Sequence, residues 1–302
     1  MQQENNFDTV IVGGSYAGLS AAMALGRAIR RVLIVDSGKP CNAQTPHSHN
    51  FLTQDGAPPA AIAALGREQV LAYPTVKLIH DEVTGVTGEN LDFRIETAGG
   101  MRANARKVVF ATGIKDQLPA VNGLATCWGI SVIHCPYCHG YEYRDQPTGL
   151  LVNGETALER TRLIRNWTKE LTVFTNGEMQ ITPQDLTTLA DMGVAVVETP
   201  IQQVVHTNGQ LDHLVLADGS TVPLAALYAS VPFEQQSNLP QRLGCELQNS
   251  GHIKVDATQR TTVPGVYAAG DNSTMLRSVS AAVAAGTMAG AFVNHELISE
   301  GM

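Results

Sequence analysis

The pentapeptide Cys135-Pro136-Tyr137-Cys138-His139 holds the densest reactive chemistry in a chain of 302 residues. Two thiols three residues apart can close a redox disulfide, supply half of a zinc site or, with the histidine that follows, form the attachment motif of a c-type haem. Zinc needs two further ligands. Cys127 and His134 stand near enough in sequence to offer them, but no second C-x-x-C or H-x-x-x-H accompanies the pair. Haem attachment follows export, and the first eight residues are polar and acidic rather than basic and then apolar, so a cytoplasmic chain is expected. Disulfide exchange is the preferred use. At a helix start the backbone N–H groups lower a thiolate's pKa and make one sulfur a better nucleophile or leaving group. His139, and more remotely His134, could trade a proton with that thiolate between about pH 6 and 8. The plain alternative for each histidine is a surface residue with no role.

A second pattern, Gly13-Gly14-Ser15-Tyr16-Ala17-Gly18, follows the apolar run 9–12 and opens the Ala/Leu-rich stretch 17–28. Gly13 permits a tight turn and Gly18 close helix packing, while the helix start offers free N–H groups to a pyrophosphate. Ser15 stands where the middle glycine of such turns usually falls. Asp36 ends the next apolar run, 32–35, where a carboxylate can accept ribose hydroxyls. A turn without ligand is the alternative. Near the C-terminus, Gly270-Asp271 ends the run 263–269 and brings a carboxylate to a backbone turn, suited to a polyhydroxyl chain.

These motifs need strands and helices to hold them, and the apolar periodicity supplies both. The first 36 residues read as β-turn-α-β. A similar unit recurs with a strand over 149–152, a helix over 155–167 and a strand over 171–174. The fold class expected is α/β, with two Rossmann-like three-layer domains, the second inserted in the first. Residues 1–115 and 235–302 form one domain and 116–234 the other, crossing where Pro, Gly, Gln and Asn collect. A long small-residue helix over 279–297 returns to the first domain.

Composition narrows the partners. Twenty basic against 28 acidic residues give a net charge of −8 with no Lys/Arg stripe, which excludes nucleic acid as an expected partner. No run reaches about 18 uninterrupted apolar residues, so no membrane span is expected. Five scattered cysteines do not make a secreted disulfide scaffold.

The order of motifs resembles the low-molecular-weight thioredoxin reductases over nearly the whole chain: the Gly-rich turn, Ala111-Thr112-Gly113 at the first crossing, C-x-x-C in the inserted domain and Ala269-Gly270-Asp271 before the last helix. The resemblance implies FAD in the outer domain, with Gly13, Ser15, Gly18 and Asp36 at its adenosine and pyrophosphate end. Ala111, Thr112, Gly113, Gly270 and Asp271 would line the rest, Asp271 at the ribityl chain, and Ser278 and Val279 would meet the flavin ring. It also implies that Cys135 and Cys138 form the disulfide exchanging two electrons with the flavin, the second cysteine being nearer the ring, and that the protein is a homodimer.

Three departures shape the expected activity. In the reductases the inserted unit carries G-x-G-x-x-A and then a His-Arg-Arg-like cluster that together bind NADPH; here Val152-Asn153-Gly154-Glu155-Thr156-Ala157 and Thr175-Asn176 stand in those places. Glu155 puts negative charge where phosphates would dock. Two missing charge-assisted contacts cost about 3 to 6 kcal/mol, or about two to four decades of affinity. His139 replaces the Asp that follows the C-x-x-C, and the run from Cys138 to Glu142, with His49-Asn50-Phe51-Leu52 ahead of Asp55-Gly56, resembles flavin-dependent dithiol oxidases, which pass electrons to oxygen. Ferredoxin-dependent flavin thioredoxin reductases are similar in outline. Arg277-Ser278-Val279 replaces Arg-Gln-Ala beside the ring. The expectation is a FAD-dependent disulfide/dithiol oxidoreductase that uses NADPH poorly, whose partner is a thioredoxin-like protein or a small-molecule dithiol, with ferredoxin or oxygen as electron partner. An NAD(P)H-dependent reductase with an altered pocket and a redox sensor without turnover are the alternatives.

Overall fold

A computed structural model describes residues 5–302. The fold is α/β and divides into two compact units. One comprises the described residues through Ala43 with Asn50–Lys115 and Phe233–Met302; the other comprises Gln44–His49 and Asp116–Pro232.

The first unit is built on a sheet of seven strands. Its path runs Val76–His80, Val32–Asp36, Asn6–Val12, Arg102–Phe110, Asp92–Thr97 and Val83–Glu89, with Val266–Ala268 also pairing Arg102–Phe110. The central strands are parallel, with Val10 opposite Leu33 on one side and Val108 on the other. Continuous apolar runs suit them because both faces are covered. Val10, Ile11 and Ile34 are fully buried. The helices Tyr16–Arg27 and Val279–Ser299 lie against each other through a seam of small residues. A Cβ on Gly286 would come within 2.1 Å of the Ala17 carbonyl oxygen, so only glycine allows this approach. The last helix is also tied to the sheet by Lys107, whose fully buried ammonium donates to Asn90 at 2.7 Å, Glu296 at 2.5 Å and Glu300 at 2.9 Å.

The second unit contains a five-stranded parallel sheet in the order Ala195–Val197, Leu171–Phe174, Thr148–Leu151, Ala226–Ala229, Val132–Ile133. A three-stranded antiparallel sheet, Ile201–Thr207, Gln210–Leu216 and Thr221–Pro223, accompanies it. Its first hairpin turns at Asn208 and Gly209, both with positive φ, as the Asn-Gly pair predicts. The helix expected over 155–167 is shorter, Ala157–Ile164. Its start is delayed by the turn at Gly154, and its end tightens as Asn166 and Trp167 bond back three residues. Among the described residues no helix is long and apolar enough to cross a membrane.

Candidate functional site

The dinucleotide turn of the first unit is set by contacts that only glycine permits. Gly13 has φ +107° and a Cβ there would meet the Ala111 carbonyl oxygen at 2.2 Å, while one on Gly18 would meet the Gly13 carbonyl oxygen at 1.9 Å. Strand, turn, helix and the Ala111 segment are thus pressed together. Gly14 donates its N–H to Asp36 Oδ1 at 3.1 Å, which fixes the carboxylate at the turn and leaves Oδ2 for another donor. Ser15 is the N-cap of the first helix in extended backbone, and its hydroxyl caps no N–H. The helix start therefore keeps donors for an anion.

At the same, C-terminal end of these parallel strands, Gly270 turns with φ +92° and its carbonyl is bonded by the Ser273 hydroxyl at 3.0 Å. Asp271 follows, its Oδ2 lying 3.9 Å from Arg277 Nε and 3.7 Å from the Cys41 sulfur. Asn272, fully buried, donates to the Phe110 carbonyl at 2.8 Å and to the Thr112 hydroxyl at 3.3 Å, while its Oδ1 is buried without a partner. Ala111 N–H is held by the Val12 carbonyl, and Gly113 turns with φ +68°. Ser278 caps the last helix through Ala281 N–H at 3.1 Å, and half-buried Val279 is its first residue. A glycine cradle, an uncapped helix start, an Asp36 carboxylate oxygen without a hydrogen bond and an orphaned amide oxygen fit an adenine dinucleotide that carries a polyhydroxyl chain. Asn272 escaped the sequence reading, although it directly follows Gly270-Asp271.

In the second unit, Cys135 and Cys138 are joined as a disulfide with Cα atoms 5.3 Å apart. Cys135 is the N-cap of Pro136–His139, a single turn of four residues. That is less helix than the expected lowering of a thiolate pKa assumed: Pro136 has no N–H, and Cys138 N–H is spent on the Cys135 carbonyl. His139 ends the turn, half-buried. Burial pushes its pKa from the ordinary 6.5 down to about 4, opposed by the Glu142 carboxylate and aided by His49. The expected titration between pH 6 and 8 is thereby corrected: the imidazole is neutral at physiological pH, a proton acceptor rather than a resident cation. Glu142 in turn lies 3.5 Å from His49 Nε2. His134 stacks on Trp128 with ring centres 6.1 Å apart.

The inserted unit's own turn is filled by the chain itself. Asn153 Oδ1 accepts from Gly154 N at 2.9 Å and Gln180 N at 2.8 Å, and Asn153 Nδ2 donates to the Glu178 carbonyl at 2.8 Å. Thr175 is bonded to the Gly177 carbonyl and Asn176 to Ile201 N–H, so both polar tips after the neighbouring strand serve the backbone. Glu155 is exposed just before the helix. One donor of the turn, Gly154 N–H, and one from the loop after the neighbouring strand, Gln180 N–H, thus face an amide oxygen here.

Comparison with known proteins agrees with the geometry. The family of pyridine nucleotide-disulphide oxidoreductases matches residues 7–286. Thioredoxin reductase tcpT of Claviceps purpurea is 31% identical, with 99% of this chain and 97% of that protein covered. Thioredoxin reductase sirT of Leptosphaeria maculans is 32% identical over 98% and 96%. An oxidoreductase structure from Agrobacterium tumefaciens superposes with a TM-score of 0.91 at 37% identity, covering 97% of this chain and 99% of that one. The chain belongs to the pyridine nucleotide-disulphide oxidoreductase family, as a thioredoxin reductase-like enzyme acting on disulfides with FAD as its cofactor.

Proposed function

We propose that the protein moves electron pairs between FAD and a partner's thiols through Cys135 and Cys138, without efficient use of a nicotinamide. The observation that carries this reading is the self-filled turn of the second unit. Asn153 occupies Gly154 N–H in the turn and Gln180 N–H beside it, Glu155 adds a negative charge at the helix start, and Thr175 and Asn176 replace a cationic fork with side chains committed to the backbone.

In the dithiol direction, one partner thiol loses its proton to neutral His139 and attacks Cys135 Sγ. The Cys135–Cys138 bond breaks, a mixed disulfide forms, and Cys138 leaves as thiolate. The partner's second thiolate then attacks its own sulfur of the mixed disulfide and releases Cys135. The partner ends oxidised by two electrons and the cysteine pair ends reduced. FAD, when held by Gly13, Ser15, Gly18, Asp36, Gly270, Asp271, Ser278 and Val279, supplies two-electron chemistry to recycle the pair. Every exchange step is reversible, so the same residues reduce a disulfide when electrons arrive from a donor such as ferredoxin. A small-molecule dithiol with oxygen as final acceptor is the reading we favour, because the run Cys138 to Glu142 and the stretch His49-Asn50-Phe51-Leu52 resemble the dithiol oxidases.

Anaerobic mixing tests it. A small dithiol should bleach the flavin absorbance rapidly, and submillimolar NADPH or NADH should not. Fast bleaching by NADPH would overturn the reading, and bleaching only by reduced ferredoxin would reverse the direction of electron flow.

A further inference from the structure

We infer that Arg67, a residue outside every motif described above, grips the adenosine half of the FAD. It lies on the helix Pro59–Leu71, which packs on the first helix where Gly66 meets Leu19 and is pinned at its start by the Tyr16 hydroxyl donating to the Pro59 carbonyl at 3.0 Å. This places the Arg67 guanidinium over Asp36 at the dinucleotide turn. The pair is loose: Nη2 stands 3.7 Å from Asp36 Oδ2, beyond hydrogen-bond reach. Asp36 Oδ1 is already occupied by Gly14 N–H. Arg67 Nε is completely buried and meets no acceptor.

A buried guanidinium N–H without an acceptor is costly, and protein interiors rarely leave one so. Its position answers the cost. Beside the carboxylate that receives ribose hydroxyls, Nε–H points to an acceptor on the bound adenosine, a ribose oxygen or a ring nitrogen. The planar guanidinium is also suited to lie along the adenine face. Asp36 and Arg67 then act as an acceptor and a donor on the same moiety.

The test uses the flavin-free full-length protein, titrated with FAD and separately with ADP, which carries the adenosine and pyrophosphate alone. Arg67→Met keeps the length and apolar packing of the stem but removes the donor. It should weaken both FAD and ADP by about ten- to a hundredfold, the usual scale for a charge-assisted hydrogen bond. Arg67→Lys should be nearly as weak, since an ammonium cannot reproduce the fork. Without ligand, Arg67→Met should melt no lower than the parent, because the lost N–H had no acceptor there; the rise in melting temperature on adding FAD should shrink. Unchanged affinity for FAD and ADP would overturn the inference. So would a ligand-free melting temperature that falls as far as the FAD-bound one, which would make Arg67 a packing residue only.

Discussion

Replacing His139 by Ala tests whether burial has set this side chain's chemistry. The folded pKa of about 4 against an ordinary 6.5 is a difference of about 2.5 units, or about 3 kcal/mol favouring the neutral imidazole. Because the folded pKa is depressed, the unfolded chain binds the extra proton first, and stability rises with pH across this window. The contribution is fully present above 6.5 and is lost as pH falls from 6.5 towards 4. Urea unfolding of the oxidised protein should therefore show the parent losing about 2 to 3 kcal/mol more than His139→Ala between pH 7 and 4. Kinetics read the same group differently. At pH 7 the parent should exchange with a small dithiol about 10²-fold faster than His139→Ala, the scale of general base catalysis. The ratio of the two rates cancels the ionisation of the dithiol itself. It should stay constant from pH 8 to 6 and fall only as pH approaches 4. A ratio that halves near pH 6.5 would refute the burial argument, and a ratio of one at neutral pH would remove His139 from the chemistry.

Cys135→Ser and Cys138→Ser should each abolish disulfide exchange, yet circular dichroism and flavin content should match the parent, since a loop closed over three residues contributes little to the fold. Asp271→Ala should raise the FAD dissociation constant about tenfold, measured by flavin fluorescence, through loss of a carboxylate that accepts from hydroxyls. Lys107→Met should lower unfolding stability by about 3 kcal/mol in denaturant titrations, because Glu296 and Glu300 lose their buried partner and only Glu296 retains Arg260. Installing arginines at positions 175 and 176 together with Val152→Gly and Glu155→Asn should not create NADPH binding in equilibrium dialysis while Asn153 holds the turn. Asn176 also sits at φ +56° with its side chain bonded to Ile201 N–H, so arginine there brings strain and a lost bond.

Much of the first unit was legible because its signals are local and mutually reinforcing. Gly13 and Gly18 must be glycine where strand and helix meet, Asp36 must end the next strand, and the small-residue run before Leu297 must pack closely. The strand boundaries differ from the sequence reading by only a few residues, since apolar runs end where burial ends. Asn272 and Arg67 were not legible. Arg67 carries no periodic or motif signal, and Asn272, though it directly follows Gly270-Asp271, gives no sign in the sequence of its bonds to Phe110 and Thr112, which come from strands that bring distant segments together. The pKa of His139 was hidden for a similar reason: the sequence shows a histidine after a cysteine, whereas the shift comes from desolvation.

In the second unit the strand register and the use of the turn above it are set by different residues. The strands Thr148–Leu151 and Leu171–Phe174 pair as a dinucleotide domain requires, with Leu150 opposite Val173, because buried side chains fix that register irrespective of any ligand. The turn above them has the opposite requirement. A dinucleotide turn leaves several N–H groups for phosphate, and without the ligand those donors must find other acceptors or remain exposed to water. Asn153 supplies such an acceptor to Gly154 and Gln180 and anchors itself on Glu178. In the function we propose, phosphate has no place at this turn, and Thr175 and Asn176 serve the backbone where a cationic fork would bind it. Cys135 and Cys138 sit on a separate turn of the same unit, so in that function their disulfide chemistry is untouched.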